Sequence, residues 1–342
     1  MAAITIIDIA KMCGVGVTTV SRAINNHPDI NEDTKAMIMK VIKDNHYVPN
    51  NSARNLKRSA SKTIAVLIKG ITNPFFNRMI KVFENGIKRN KYSFILQRVD
   101  DKQDELDVAI ELVKEKRLKG IIFLGGYFSH SEEKLKQLSV PFVLSTIGMT
   151  EEIDTMNYSS VSVDDYKESY KLVDYLCKQG HRRIAIISAN MDDVSIGKLR
   201  YDGYVQALND NGIEVDESLV CFMKDDLESY SMENGYVVTK ELLESNQPFT
   251  ALYALSDSLA IGACKAIIEA GKKIPDDYSV AGFDGMDISY YYNPSITTIR
   301  QPVDELAEET IKVLFDLINK KATHVHKIFP AELIVRESTK SI

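Results

Sequence analysis

The stretch GVGVTTVSRAINNHP, from Gly14 to Pro28, decides how the N-terminal part of this chain folds. Thr18, Ser21, Arg22 and Asn25 recur at i, i+3, i+4 and i+7, so they share one face of a helix. Val20, Ala23 and Ile24 lie opposite and supply an apolar face. Serine and threonine are mediocre helix formers, and a face that merely meets water more often carries Glu, Lys or Ala. Hydroxyls, an amide and one guanidinium suit a surface that meets phosphates and base edges. The competing reading, a solvated face of a small helical bundle, stays open at this level.

Outward from this helix the local signals are consistent. Thr5 followed by Asp8 reads as an N-cap with an acidic residue at N3, a variant of the capping box. Ile6, Ile9, Ala10 and Cys13 then keep helical spacing, and Gly14 ends that helix. The next helix begins near Gly16 or Val17. Asn31 opens a third, whose early Glu32 and Asp33 suit the helix dipole and whose apolar face is Met37, Ile38, Val41 and Ile42. Tyr47-Val48-Pro49 stops it. Three short helices with a tight glycine turn between the first two make a helix-turn-helix, whose second helix enters the major groove of DNA. There Thr and Ser bond phosphates or bases, Asn bonds phosphate or adenine, and Arg bonds guanine, at about 1–3 kcal/mol of discrimination per good bidentate pair.

Charge supports this. Residues 1–62 hold nine basic and five acidic residues, whereas the rest holds 33 basic and 43 acidic ones. A basic head on an acidic body is the expected balance of a nucleic-acid-binding module on a larger domain. Asn51 or Ser52 then caps a helix of two turns with Ala53 and Leu56 on one face. So short a helix is marginal alone in water and should form only against a partner. Leu56 is either a packing residue or a wedge between base steps in the minor groove.

From Lys62 strands alternate with helices. The runs 63–68, 92–97, 120–125 and 142–146 are short and apolar without strict alternation, as in parallel strands buried on both faces. Helical stretches such as 75–89 and 103–116 separate them. A second series, 183–188, 250–255 and 278–283, follows. Asn85-Gly86-Ile87 and Asn211-Gly212-Ile213 read as ends of comparable helices in the two series. The pattern predicts two doubly wound α/β subdomains with parallel sheets, with the ligand site in the cleft at the strand ends. Candidates there are the Thr72-Asn73-Pro74-Phe75-Phe76 segment, Arg200, Ser256-Asp257, Asp284 and Gln301. Aromatic rings beside carboxylates, guanidinium and amides suit a polyol. Alternatively Phe75 and Phe76 are ordinary core, and Asp257 and Asp284 are helix caps.

Several classes are disfavoured. There is no Gly-x-Ser-x-Gly, Walker A, Gly-x-Gly-x-x-Gly after a strand or His-Glu-x-x-His motif, and Asp164-Asp165 and Asp225-Asp226 look like caps and turns, so no enzyme is expected. Cys13, Cys177, Cys221 and Cys264 are scattered and suit a reducing cytoplasm. His324 and His326 share a strand face but have no third ligand nearby, so neither metal nor cofactor is expected. No apolar run of about 18 residues predicts a membrane span, and the first residues lack the pattern of a secretory signal.

The segment ITIIDIAKMCGVGVTTVSRAINNHPDINEDTKAMIMKVIKDNHYVPNNSARNLK strongly resembles the head of the lactose/galactose-repressor family of bacterial transcription regulators. TNPFF, DSLAIGA, VAGFD and TTIRQP resemble its effector domain. The resemblance implies a helix-turn-helix head at 1–49, a hinge helix and linker at 50–60, and a periplasmic-binding-protein-like core at 61–342. It implies subdomains of roughly 61–160 with 293–325 and 161–292 with 326–342. It assigns Val17, Thr18 and Arg22 to bases, and Thr5, Thr19, Ser21 and Asn25 largely to the DNA backbone. It makes Leu56 the minor-groove wedge with Ala53 beside it. In the core it points to Phe75, Phe76, Arg200, Asp257 and Asp284 around the effector. Two positions depart from the family: Gly16 stands where a capping serine is usual, and Ser256 where sugar-binding relatives often carry Asn.

The expected function is therefore a cytoplasmic homodimeric repressor. It binds pseudo-palindromic double-stranded operator DNA with an affinity set by a small carbohydrate-like effector. The alternatives are a solute-binding or sugar-processing protein, and a regulator that signals through a protein partner such as a phosphocarrier.

Overall fold

The structure, a computed structural model, describes residues 4–24, 27, 29–45, 47, 62–70, 73–100, 103–128, 130–147, 157–190, 195–321 and 323–342. The chain divides into two units, Met1–Ser61 and Lys62–Ile342.

In the first unit, α1 (Ile6–Met12) starts in a full capping box. The Thr5 hydroxyl accepts from the Asp8 N–H, and the Asp8 carboxylate accepts from the Thr5 N–H at 2.9 Å. Gly14 ends the helix at φ +65°, a backbone conformation glycine adopts without a Cβ clash. Next come α2 (Val17–Ile24) and α3 (Glu32–Asp44), the latter capped by Asn31, whose Oδ1 accepts from the Asp33 and Thr34 N–H groups. Ile9, Ala10, Val20, Ala23 and Ile38 form the core of this bundle. Met37, expected on the apolar face of α3, is instead 41% exposed. The helix meets its neighbours along a narrow stripe led by Ile38, and Met37 falls at its margin.

The second unit begins with β1 (Thr63–Ile68), α4 (Phe75–Arg89), β2 (Ser93–Arg98), α5 (Glu105–Lys116), β3 (Gly120–Leu124), α6 (Glu132–Leu135), β4 (Phe142–Ser145) and β5 (Ser159–Val163). It continues with α7 (Asp165–Lys178), β6 (Ile184–Ser188), α8 (Ile196–Asp210), β7 (Val220–Phe222), α9 (Met232–Glu244), β8 (Ala251–Ala254), α10 (Asp257–Glu269), β9 (Ser279–Asp284), α11 (Asp287–Tyr291) and β10 (Thr297–Arg300). It closes with α12 (Val303–Ile318), β11 (His326–Phe329) and β12 (Glu332–Ile334).

Two six-stranded sheets result, ordered β11-β5-β4-β3-β1-β2 and β12-β10-β9-β8-β6-β7. Among the described residues every pairing is parallel except that of β10 with β12. Strand β1 shows why apolar runs belong at sheet centres. Ile64, Val66 and Ile68 join one hydrophobic cluster with Met79 and Phe83 of α4, whereas Ala65 and Leu67 join another with Leu106 and Ala109 of α5. Strand β2 lies at an edge, so its burial is partial rather than two-sided. Among the described residues no helix is long and apolar enough to cross a membrane.

The chain crosses between the sheets after β5, after β10 and between β11 and β12. This corrects the expected subdomain bounds. Strand β10 (297–300) pairs with β9 and β12 in the second sheet, not with the first subdomain. Strand β11 (326–329) pairs with β5 in the first sheet, and β5 itself runs past residue 160 to Val163. Helix α12 packs on α4 and the first sheet as expected. A second correction concerns Asn85-Gly86-Ile87, which lies inside α4 rather than at its end. Gly86 is there for close packing, since a Cβ on it would stand 2.3 Å from Ile311 Cδ1 of α12. Asn211, by contrast, does cap α8.

Candidate functional site

On α2, Val20 and Ala23 are buried while Val17, Thr18 and Arg22 are exposed, with Thr19 and Ser21 half-buried. The amphipathic division read from the sequence thus sets Thr18 and Arg22 on an outer face. Gly16 starts α2 through its carbonyl, which accepts from the Thr19 and Val20 N–H groups at 2.9 and 3.2 Å. The Thr5 hydroxyl, expected at the DNA backbone, donates to Asp8 Oδ2 at 2.6 Å and holds the Asp8 carboxyl below its ordinary range. Asn25, Thr72, and the 50–60 hinge and linker with Ala53 and Leu56, lie outside the described residues.

The second unit holds a cavity of about 220 Å³ lined from both subdomains, at the carboxyl ends of their strands. Phe75 and Phe76 line it from the start of α4, with ring centroids 5.4 Å apart at 63°. They are core and lining at once, since both also join the hydrophobic cluster. Arg200 reaches it from α8 and Asp284 from the end of β9.

Arg200 and Asp284 are the centre of a buried network. Arg200 Nε donates to Asp165 Oδ1 at 2.8 Å, and Nη1 donates to the Leu255 carbonyl at 2.5 Å. Its Nη2 stands 3.6 Å from Asp284 Oδ1, which also accepts from Gln301 Nε2 at 2.9 Å. The guanidinium packs 3.6 Å from the centroid of the Phe283 ring. Burial opposes the charge on Arg200, but Asp165 and Asp284 outweigh it and raise the pKa. Burial pushes the Asp284 carboxyl up to about 6, against the pull of Arg200, Gln301 and Asn73. Asp284 Oδ2 is buried and accepts no hydrogen bond of normal geometry from a described residue. Asp284 also sits at φ +110°, outside the usual range for a residue with a Cβ.

Asp257, expected in the cleft, is not among the residues that line the cavity. Ser256 is the true cap of α10, accepting from the Leu259 N–H at 3.2 Å. Asp257 is fully buried, with Oδ1 accepting from the Thr298 hydroxyl at 2.6 Å and Oδ2 from the Met286 N–H at 2.7 Å. Burial, with Asp284 nearby, pushes its carboxyl up to about 7. It ties the start of α10 to β10 and the loop after β9.

Reading from sequence alone missed Lys69, Thr146 and Asp165 as lining residues. Lys69 follows β1 and Thr146 follows β4, so the strand-end rule applied evenly would have found them. Asp165 was read with Asp164 as a cap. Asp164 is indeed the cap of α7, accepting from the Lys167 N–H, while its neighbour turns to Arg200. His324 and His326 contact the Ser159 and Ser160 hydroxyls at 3.2 and 2.8 Å.

Comparison with known proteins agrees with both units. Residues 5–50 match the model "Bacterial regulatory proteins, lacI family", and residues 173–339 match a periplasmic binding protein-like domain. The HTH-type transcriptional regulator MalR of Clostridium butyricum is 41% identical, over 97% of this chain and 98% of that one. A transcriptional regulator CelR–cellobiose complex superposes with a TM-score of 0.70 at 26% identity, over 98% of this chain and 99% of its own. A regulator from Enterococcus faecium with bound ribose gives 0.70 at 29% identity, over 82% of this chain and 100% of its own. Members of this family are DNA-binding transcriptional regulators rather than enzymes. The head, the two-sheet core and these relatives together place the chain in the lacI family of bacterial transcriptional regulators.

Proposed function

We propose that this chain is an operator-binding repressor whose DNA affinity is set by a sugar or sugar derivative held in the cleft. The observation that carries the reading is Asp284, a buried carboxylate at a cavity between the two sheets whose Oδ2 accepts no hydrogen bond of normal geometry from a described residue. A group so costly to leave unpaired suits a ligand hydroxyl. The same observation favours a small ligand over a core that answers only to a phosphocarrier protein. Relatives crystallised with cellobiose and ribose support the chemical class.

The network around Asp284 supplies the coupling. Asp165 follows the first crossing between the sheets and Gln301 lies in the second, and both meet the Arg200–Asp284 pair. A ligand on Asp284 therefore acts on the segments that join the two subdomains. Coupling free energies of this kind are typically about 1–3 kcal/mol. On the head, Val17, Thr18 and Arg22 read bases, with Thr19, Ser21, Asn25 and Thr5 at the backbone. Ala53 and Leu56 serve the hinge, with Leu56 as the wedge. Two protomers present two such helices to a pseudo-palindromic operator in the cytoplasm.

The test has two steps. Thermal-shift titration of the purified protein with sugars finds the effector, because a ligand of the folded state raises its melting temperature. A gel shift with operator DNA then asks whether that sugar alters binding. Arg22→Ala should lose operator preference by about 1–3 kcal/mol while melting like the parent. Undiminished preference in that variant, or a bound sugar without effect on DNA binding, removes the reading.

A further inference from the structure

We propose that the cleft selects an uncharged polyol and rejects phosphorylated or carboxylated sugars, with Thr146 of the first subdomain and Asp284 of the second as its two hydroxyl anchors. The proposal rests on the reading of the cleft as the ligand site.

The cations of the wall are already neutralised from within. Lys69 Nζ lies 2.6 Å from Glu105 Oε2, and the other oxygen of Glu105 meets His130 Nε2 at 2.7 Å. Arg200 is held by Asp165 and Asp284 as described. An anionic ligand must break up a buried pair of this kind and leave its carboxylate uncompensated. The helix N-termini at the cavity are also occupied. The Phe75 N–H donates to Asn73 Oδ1 at 3.1 Å, the Phe76 N–H to the Asn73 carbonyl at 3.1 Å, and the Gly197 N–H to Ser195 Oγ at 3.2 Å. The amides that would greet a phosphate are therefore engaged.

What the wall leaves unmet has the opposite character. Asp284 Oδ2 and Thr146 Oγ1 are both buried, both belong to lining residues, and neither has a hydrogen-bond partner of normal geometry among the described residues. An ionised carboxylate oxygen only accepts, so it needs a donor. A sugar hydroxyl supplies one; an anionic sugar still carries hydroxyls, but its ionised phosphate or carboxylate cannot itself donate and repels Asp284 across the cavity. The Thr146 hydroxyl donates or accepts and suits a second sugar hydroxyl. Thr146 holds φ +53° and Asp284 φ +110°, so both anchors sit on backbone that side chains rarely adopt, as often occurs at ligand sites. One follows β4 and the other ends β9, on separate sheets, so a ligand that bonds both ties the subdomains together.

The test is calorimetric titration of the full-length protein with matched pairs: glucose and glucose 6-phosphate, ribose and ribose 5-phosphate, cellobiose and cellobionate. A neutral member should bind, and its anionic counterpart should bind at least about tenfold more weakly. Thr146→Val keeps the shape and removes the hydroxyl, so it should weaken the neutral ligand about three- to tenfold with the unliganded melting temperature unchanged. Glu105→Gln releases Lys69 and should narrow the gap between the members of a pair. Tighter binding of an anionic member, parental affinity in the Thr146 variant, or an unchanged gap in the Glu105 variant each overturns the proposal. A preference for anionic sugars leaves the ligand-controlled reading standing, whereas binding of no sugar of either kind removes both.

Discussion

Replacing Asp284 by Asn separates the ligand contact proposed for it from its work on the fold. Asn keeps the shape, and its Oδ1 can still accept from Gln301, which donates to Asp284 at 2.9 Å. Arg200 is not orphaned, because Asp165 and the Leu255 carbonyl still hold it. The ligand, however, loses a charged acceptor at Oδ2. A hydrogen bond to a charged group is worth about 1.5–3 kcal/mol, so the dissociation constant should rise about 10- to 150-fold. A pH profile adds a sharper mark. The Asp284 carboxyl is pushed up to about 6 in the fold, and in the proposed reading the ligand's hydroxyl bonds the ionised form. Affinity should be level above neutral pH and fall below pH 6 by up to about tenfold per unit, because a proton must first leave. The Asn variant should lack that fall. On the unliganded protein the sign is reversed. A carboxyl raised above its ordinary value adds stability at acid pH, which is lost as pH rises through about 6. At neutral pH the Asn variant should therefore melt no lower than the parent while binding sugar far less tightly. Titration calorimetry from pH 5 to 8 with parallel melts reads both. An Asn variant that keeps the acid fall in affinity, or binds as tightly as the parent, refutes the reasoning.

Three further outcomes are expected. Gly262→Ala should destabilise the core by about 1–3 kcal/mol or more in urea melts, because its Cβ would fall 1.9 Å from the Met232 carbonyl across the α9–α10 contact; an unchanged midpoint counts against that close packing. Gly16→Ser should be tolerated, since a Cβ there meets only Thr19 Oγ1, at 3.9 Å. It should steady α2 by a few tenths of a kcal/mol and steepen the salt dependence of operator binding by up to about one phosphate contact; weaker DNA binding would oppose this. Asp257→Ala strands the Thr298 hydroxyl and the Met286 N–H, so it should cost about 2–5 kcal/mol in chemical denaturation. Where that variant remains folded, its sugar affinity should stay near the parent's, and a selective loss of binding would return Asp257 to the cleft.

Much of the molecule is legible locally. The Thr5–Asp8 box, the Asn31 cap and the Phe75–Arg89 helix depend on residues a few positions apart, so composition and period reveal them. Strand ends likewise pointed to Phe75, Phe76, Arg200 and Asp284, all of which line the cavity. Strand β5 escaped because Ser159, Ser160 and Ser162 are polar yet buried, with Ser159 and Ser160 in contact with His324 and His326.

The sequence by itself determined the head helices, the helices at 75–89 and 103–116, the central strands of both sheets, the basic head, and the polar stripe on α2. Tertiary structure decided which sheet claims β5, β10 and β11, because ladder pairing joins residues far apart and leaves no periodic trace. It also decided the roles of look-alike carboxylates. Asp165 meets Arg200 across 35 residues and Asp257 meets Thr298 across 41, so one enters the cleft network and the other locks the fold. Only the packed protein sets burial and partner together, and those two quantities separate Asp257, bonded on both oxygens inside the fold, from Asp284, which lines the cavity.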